Sequence, residues 1–221
     1  MSEFLRARRP EHKEQRRQAI LDAARRLAVD SGVHNVTLSG VAAEVGLAKS
    51  NMSRYFGTRE EMYLELASEC WRDWGRAVVE RLSTGDAVVA TLTETLQARP
   101  MFCDLLGHTA TSLEHNVSVP AASGHKRAMI VVIDELGDAI AAADRRLTEK
   151  EGRDLVMAAA GLAGAVYAAA NPPSSLAEAY ERNPELAAAR LEFEPTLRRL
   201  LGAIAAGLPA LRPHTASSAP S

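Results

Sequence analysis

A chain of 221 residues with 26 Lys and Arg against 28 Asp and Glu carries a formal charge of −2, which excludes a general polycation. The length allows one large domain or two small ones, and the scarcity of aromatics beside abundant Ala favours helix. The charge is unevenly placed: residues 1–60 hold 11 basic against 7 acidic side chains and the remainder 15 against 21, so a positive head precedes a negative body.

The first segment, MSEFLRARRPEHKEQRR, is basic and has no strong apolar period. It reads either as a solvated arm or as one whose Arg6, Arg8, Arg9 or Arg16 reaches a phosphate backbone or minor groove. A helix is expected over about 11–30, with Ile20, Leu21, Ala24, Leu27 and Ala28 on one face and Asp30-Ser31-Gly32 at its end. Arg16 and Arg17 lie on that helix, placed for phosphates.

Residues 37–56, TLSGVAAEVGLAKSNMSRYF, then read as two short helices joined by a tight turn, the pattern of a helix-turn-helix DNA reader. Thr37 caps the first helix by accepting a free backbone N–H, and Val41, Ala42 and Val45 share its inner face. Gly40 inside it either admits a phosphate or is a tolerated defect of about 1 kcal/mol relative to Ala. Gly46 sits where the chain must turn left-handed. The second helix is expected over about 49–56, with Met52, Tyr55 and Phe56 inward and Lys49, Asn51, Ser53 and Arg54 outward. Thr37, Ser39, Lys49, Ser50, Asn51, Ser53 and Arg54 are the candidates for DNA contact. Arg has the geometry to grip guanine with two hydrogen bonds, and Tyr55 and Arg59 are placed for phosphates at the edge. Thr58 and Glu61 fit a capping box that opens the next helix at about Arg59.

Downstream there is no strand signal. Helices are expected over about 59–82, 85–98, 100–114, 120–143 and 148–170, the last opened by a Thr148/Glu151 capping box and ended by Asn171-Pro172-Pro173. A looser stretch with one short helix precedes a final helix over about 195–206, and the tail from Leu208 reads as disordered. No apolar run is expected to be long enough to cross a membrane; the nearest, around Val156–Ala170, reads as too short. Cys70 and Cys103 lack Cys-x-x-Cys spacing and read as reduced core residues of a cytoplasmic protein, with redox sensing as the alternative. The six histidines have no ligand spacing, and there is no nucleophile elbow or phosphate-cradling loop, so neither a metal, a cofactor nor catalysis is expected.

The order of features across AILDAARRLAVDSGVHNVTLSGVAAEVGLAKSNMSRYFGTREEMYLEL, about residues 19–66, resembles the N-terminal domain of the TetR family of bacterial transcriptional repressors. Two positions depart from the family pattern: Ala48 stands where Ser or Thr commonly caps the recognition helix, and Ser53 where an aromatic is frequent. The resemblance implies an all-α protein with a three-helix DNA-binding domain over 1–57 and a helical effector-binding and dimerisation domain over 58–208, followed by a tail over 209–221. It implies a homodimer that binds a palindromic duplex operator and is released by a small-molecule effector. Trp74, Phe102, His108, Thr111 and Tyr167 are the candidates for lining the effector cavity, with ordinary core as the alternative for each. Gly161, Gly164 and Ala168, with Leu197, Leu201 and Ile204, are the candidates for the subunit interface; internal packing is the alternative for the small-residue run. A helical interaction module that does not read DNA is the rival reading of the whole.

Overall fold

The computed structural model describes residues 3–213, with the side chains of residues 3–10, 110 and 111 outside that description. The described residues are helical with no strand. Helix α1 (Glu3–Ser31) begins earlier than the apolar stripe alone indicated. A single 3-10 turn (Val33–Asn35) leads to α2 (Leu38–Glu44) and α3 (Lys49–Met52). The local signals act as expected in α2: Thr37 Oγ1 accepts the Gly40 N–H at 3.1 Å, and Gly46 takes φ 66° at the turn. Helix α3 is shorter than expected. Ala48 offers no side-chain cap, and after one turn the N–H groups of Tyr55 and Phe56 both close on the Met52 carbonyl, at 2.9 and 3.0 Å. That tight exit swings Phe56 into the core, where it is buried beside Met52.

The body comprises α4 (Arg59–Ser83), α5 (Val88–Gln97), α6 (Pro100–His108), α7 (Val119–Ala143), α8 (Glu149–Ala170), α9 (Ser174–Arg182), α10 (Pro184–Ala187) and α11 (Phe193–Gly207). Where α6 was expected to run on to Glu114, the chain relaxes into a π-helical turn over Thr109–Leu113, with Glu114 N–H bonded to Thr109 O. The predicted Thr148/Glu151 capping box is complete in both directions. Beyond α11 a 3-10 turn (Leu208–Leu211) replaces the expected disorder. It delivers Arg212 to Glu151 with two hydrogen bonds of 2.7 and 2.5 Å, and to the Arg146 carbonyl at 2.7 Å. Residues 214–221 of the predicted tail lie outside the described residues.

Helix α8 packs against α6, α7 and α11, while α4 packs chiefly against α7. Glycines set two of these crossings. A Cβ on Gly152 would meet Gly137 O of α7 at 2.6 Å, and one on Gly164 would meet Gly107 N of α6 at 2.5 Å. Gly164 therefore belongs to the subunit's own packing and not to a subunit interface. The same correction applies to Leu197 and Leu201, both 0% exposed as α11 closes on α8 and α5. Gly161 has nothing within 4 Å of a built Cβ; it lies with Met157, Ala165 and Ala168 on the exposed face of α8, while Ile204 is half-buried on α11. Contrary to the sequence reading, α8 is long and apolar enough to cross a membrane by length and composition. One side of it packs into the bundle, where Leu155, Val156, Ala159 and Ala163 are fully buried, while Met157, Ala165 and Ala168 on the other side are exposed.

Candidate nucleic-acid interface

Helix α3 presents a polar surface built from short-range rules. Met52 and Phe56 anchor its inner side, which leaves Lys49, Ser50, Ser53 and Arg54 exposed, and Thr37 and Ser39 exposed at the start of α2. Among the described residues neither Lys49 nor Arg54 is paired with a carboxylate. Ser53 Oγ donates to Ser50 O at 3.0 Å, which steadies the single turn. Asn51 and Tyr55 are half-buried, and Tyr55 packs against the core. An exposed cation with no internal partner has its full charge available to an anion, and a run of small hydroxyl side chains lets a duplex approach closely.

Two other arginines of the head face inward. Arg59, expected to hold a phosphate, instead donates Nε to Val36 O at 2.6 Å and Nη2 to Val33 O at 2.6 Å, and its guanidinium lies 4.9 Å over the Tyr63 ring. It ties the loop after α1 to the start of α4. Arg17, also expected at phosphates, donates Nη1 to Tyr55 O at 2.6 Å and Nε to Glu65 Oε1 at 2.7 Å, and its guanidinium carbon sits 4.3 Å over the Phe56 ring. Both arginines position the reading surface and do not form part of it. Sequence reasoning counted them by charge; the signal for their inward role is the Tyr or Phe that each one covers.

Besides the Arg17–Glu65 and Arg25–Glu69 pairs, two carboxylates that accept backbone N–H groups fasten the head to the body. Thr58 Oγ1 accepts the Glu61 N–H at 3.1 Å, as in the predicted box, yet the Glu61 carboxylate does not return to its own cap. It accepts Gly57 N–H at 2.9 Å, in the turn leaving the head, and Ser118 N–H at 3.0 Å, at the start of α7. The Ser118 hydrogen bonds hold the Glu61 carboxyl below the usual carboxylate range. Asp104 of α6 makes the second link, accepting Val33 N–H at 2.8 Å. Neither carboxylate was singled out for this role from sequence, because the partners that span head and body, Ser118 N–H and Val33 N–H, are backbone groups 57 and 71 residues away.

The expected effector-lining residues divide. Trp74 and Phe102 are fully buried with Trp71 in an aromatic cluster, ring centroids 5.4–5.9 Å apart, and the Trp74 indole donates to Thr95 Oγ1 at 2.9 Å. They are core. His108 is partly exposed, 3.4 Å from Asp104 and stacked on His34. Tyr167 is half-buried against Phe193, and desolvation raises its phenol. The Thr111 side chain lies outside the described residues. None of the other four lines the groove of about 650 Å³ that runs between α1, α4 and α7. Cys70 and Cys103 are both buried free thiols, which burial pushes up to about 12. Among the described residues no group of three or more His, Cys, Asp or Glu is placed to hold a metal.

Comparison with known proteins agrees with this geometry. Residues 20–66 match the family described as bacterial regulatory proteins, tetR family, and residues 65–212 match the tetracyclin repressor-like C-terminal domain. The HTH-type transcriptional regulator BetI of Agrobacterium fabrum is 37% identical over 67 residues, 30% of this chain and 32% of that protein. An uncharacterized HTH-type transcriptional regulator of Haemophilus influenzae is 31% identical over 87 residues, 38% of this chain and 42% of that one. The chain thus spans under half the length of these curated relatives. Among solved structures, Thermus thermophilus FadR, a TetR-family transcriptional repressor in complex with lauroyl-CoA, superposes with a TM-score of 0.55 at 18% identity, covering 93% of this chain and 99% of that one. FadR of Bacillus halodurans, a fatty acid degradation regulator, gives 0.52 at 12% identity, covering 89% and 99%. At those identities the likeness is one of fold.

Proposed function

The chain belongs to the TetR family of bacterial transcriptional regulators, and from that premise we propose that it is a cytoplasmic repressor that grips a palindromic operator as a homodimer and lets go when a small effector binds its body. The observation that carries the DNA half is the exposed, unpaired pair Lys49 and Arg54 on a helix otherwise anchored by Met52 and Phe56. In this reading Arg54 pairs with a base edge, and Lys49, Ser50 and Ser53 hold backbone. The assembly half is supported by the exposed apolar face of α8, Met157, Gly161, Ala165 and Ala168. Small side chains there let a second copy approach closely, and two-fold symmetry sets two heads about one helical turn of DNA apart, roughly 34 Å.

The switch follows from how the body holds the head. Asp104 grips Val33 N–H, and His108 lies against Asp104 one turn further along α6. An effector that shifts α6 near His108 and Tyr167 therefore pulls directly on the loop that Arg59 clamps. The partly buried aromatic and imidazole groups favour an apolar effector with one or two polar atoms; in the lauroyl-CoA bound by the Thermus neighbour only the lauroyl chain has that character. No catalytic step enters this reading. Selection of duplexes from a random pool, followed by salt titration of the selected site, tests it. A steep loss of affinity with salt and a two-fold symmetric consensus are expected. A protein that selects no sequence, or that sediments as a monomer at micromolar concentration, refutes it in favour of an interaction module.

A further inference from the structure

The groove between α1, α4 and α7 is a second candidate site. Its volume of about 650 Å³ falls within the range of roughly 300–1,000 Å³ usual for small-molecule sites. Its walls bring four carboxylates, Glu14, Glu61, Glu65 and Glu69, against two guanidinium groups, Arg17 and Arg72. Glu61 and Glu65 are committed to the bonds described above, and Glu69 to Arg25 at 2.6 Å. Glu14 has no ion-pair partner among the described residues.

Beside these carboxylates the groove is lined by Ser68 and by His125, which is 3% exposed. The Ser68 hydroxyl has one proton, and Leu64 O lies 2.8 Å from it along the helix. His125 Nδ1, 2.9 Å from the same oxygen, is therefore the donor in that contact. The remaining nitrogen, Nε2, is then a bare acceptor, and among the described residues it has no hydrogen-bond partner. Burial disfavours the imidazolium, and the neighbouring Lys126 acts in the same direction, against a smaller opposing pull from Glu114. A buried acceptor without a donor costs stability, so its natural complement is an N–H supplied from outside the chain.

We propose that this groove binds a small organic amine, whose N–H groups are shared between His125 Nε2 and the carboxylates of α1 and α4. An ammonium entering there competes with Arg17 for Glu65. Arg17 is the residue that holds the Tyr55 carbonyl at the exit of α3, so occupancy loosens the reading surface. The coupling rests on the DNA reading proposed above; the binding does not.

Calorimetric titration of the full chain with putrescine and with spermidine, and with glutarate as an anionic control, tests the binding. Saturable uptake of one amine per chain and none of glutarate is expected. His125→Asn keeps a donor toward Ser68 and removes the acceptor, and Glu14→Gln removes the unpaired charge. Each should weaken amine binding about tenfold or more, while His125→Gln, which restores an acceptor near Nε2, should stay within about threefold of wild type. Circular dichroism confirms that each variant is folded. No saturable uptake of either amine, equal uptake by all variants, or preference for glutarate overturns the site. If the amine binds but leaves affinity for the selected duplex unchanged, the coupling is overturned. If it binds while no duplex is bound at all, the site stands and the DNA reading falls.

Discussion

The arginines of the first sixty residues do two opposite jobs. Arg54 is exposed and unpaired on α3, whereas Arg17 and Arg59 each cover an aromatic ring and bond backbone carbonyls from a different segment. The guanidinium is the same; what differs is how many fixed acceptors surround it. An arginine that already satisfies two carbonyls, as Arg59 does, has little left for a phosphate, and removing it takes a donor from each of them. Reading surface and scaffold are thus distinguished by hydrogen-bond commitment and not by charge.

The body offers the same contrast between Gly161 and Gly164, three residues apart on α8 but opposite in surroundings. Gly164→Val is expected to have the largest effect of any single change considered, above about 3 kcal/mol, because the Cβ would meet Gly107 backbone that cannot yield. Gly161→Val should leave the subunit's own packing intact, since its Cβ meets nothing of the same chain within 4 Å, and cost less because it acts only on the approach of a second copy. Urea denaturation of the pair checks this, and equal midpoints would erase the distinction.

Next in size is Arg59→Ala, expected to cost about 2–3 kcal/mol of folding stability through the lost bonds to Val33 O and Val36 O. It should weaken all duplexes alike because the head itself loosens. Arg54→Ala should leave the thermal midpoint unchanged and cost about 1–3 kcal/mol of duplex affinity per half-site, with relaxed preference at one base position. Melting curves beside binding isotherms separate the two. An Arg59 variant as stable as wild type would return that residue to the reading surface.

How far the sequence carried can be judged at these same residues. Caps and turns were legible because they are local: Thr37, Gly46, Thr58 and the Thr148/Glu151 box act within four residues of themselves. The buried side of α4 follows a 3.6-residue period, carrying Met62, Leu66, Cys70 and Trp74. The roles of Arg17, Arg59 and Glu61 were not, since their partners lie 23 or more residues away in several cases, and no local pattern marks such a partner. The small-residue run of α8 was ambiguous for a related reason. A stripe of Gly and Ala says that something comes close, and only the bundle shows that α6 and α7 occupy one side of it.

Acid should act on the carboxylates that bind the pieces together. Glu151, held by Arg212 and the Thr148 backbone, is lowered to about 2, and Glu61 is lowered by Ser118. A depressed carboxylate stabilises the fold fully above its ordinary value near 4.5, and that contribution fades as pH falls toward about 2. Stability followed by circular dichroism should therefore decline through this window, and less steeply in Arg212→Ala. Identical slopes would deny Arg212 its anchoring role. The smallest effect is chemical: with both thiols buried, iodoacetamide should label neither Cys70 nor Cys103 in the native chain, and both once denatured, as mass spectrometry will read.

The Glu61 carboxylate, held by Gly57 N–H on one side and Ser118 N–H on the other, bears on how such regulators can be recombined. An engineer wishing to graft a foreign reading head would cut at the Gly57 turn, where the recognition motif ends. That cut severs one half of a two-sided clasp, and it parts Arg17 from Glu65 and Val33 from Asp104 as well. The transplantable unit is the head together with α4, and the receiving body must present backbone donors where Ser118 stands and a carboxylate where Asp104 stands. Hybrids that respect those matches should keep their response to effector, while hybrids joined at the turn also lose the Arg59 bonds to Val33 O and Val36 O and should bind DNA weakly and no longer listen.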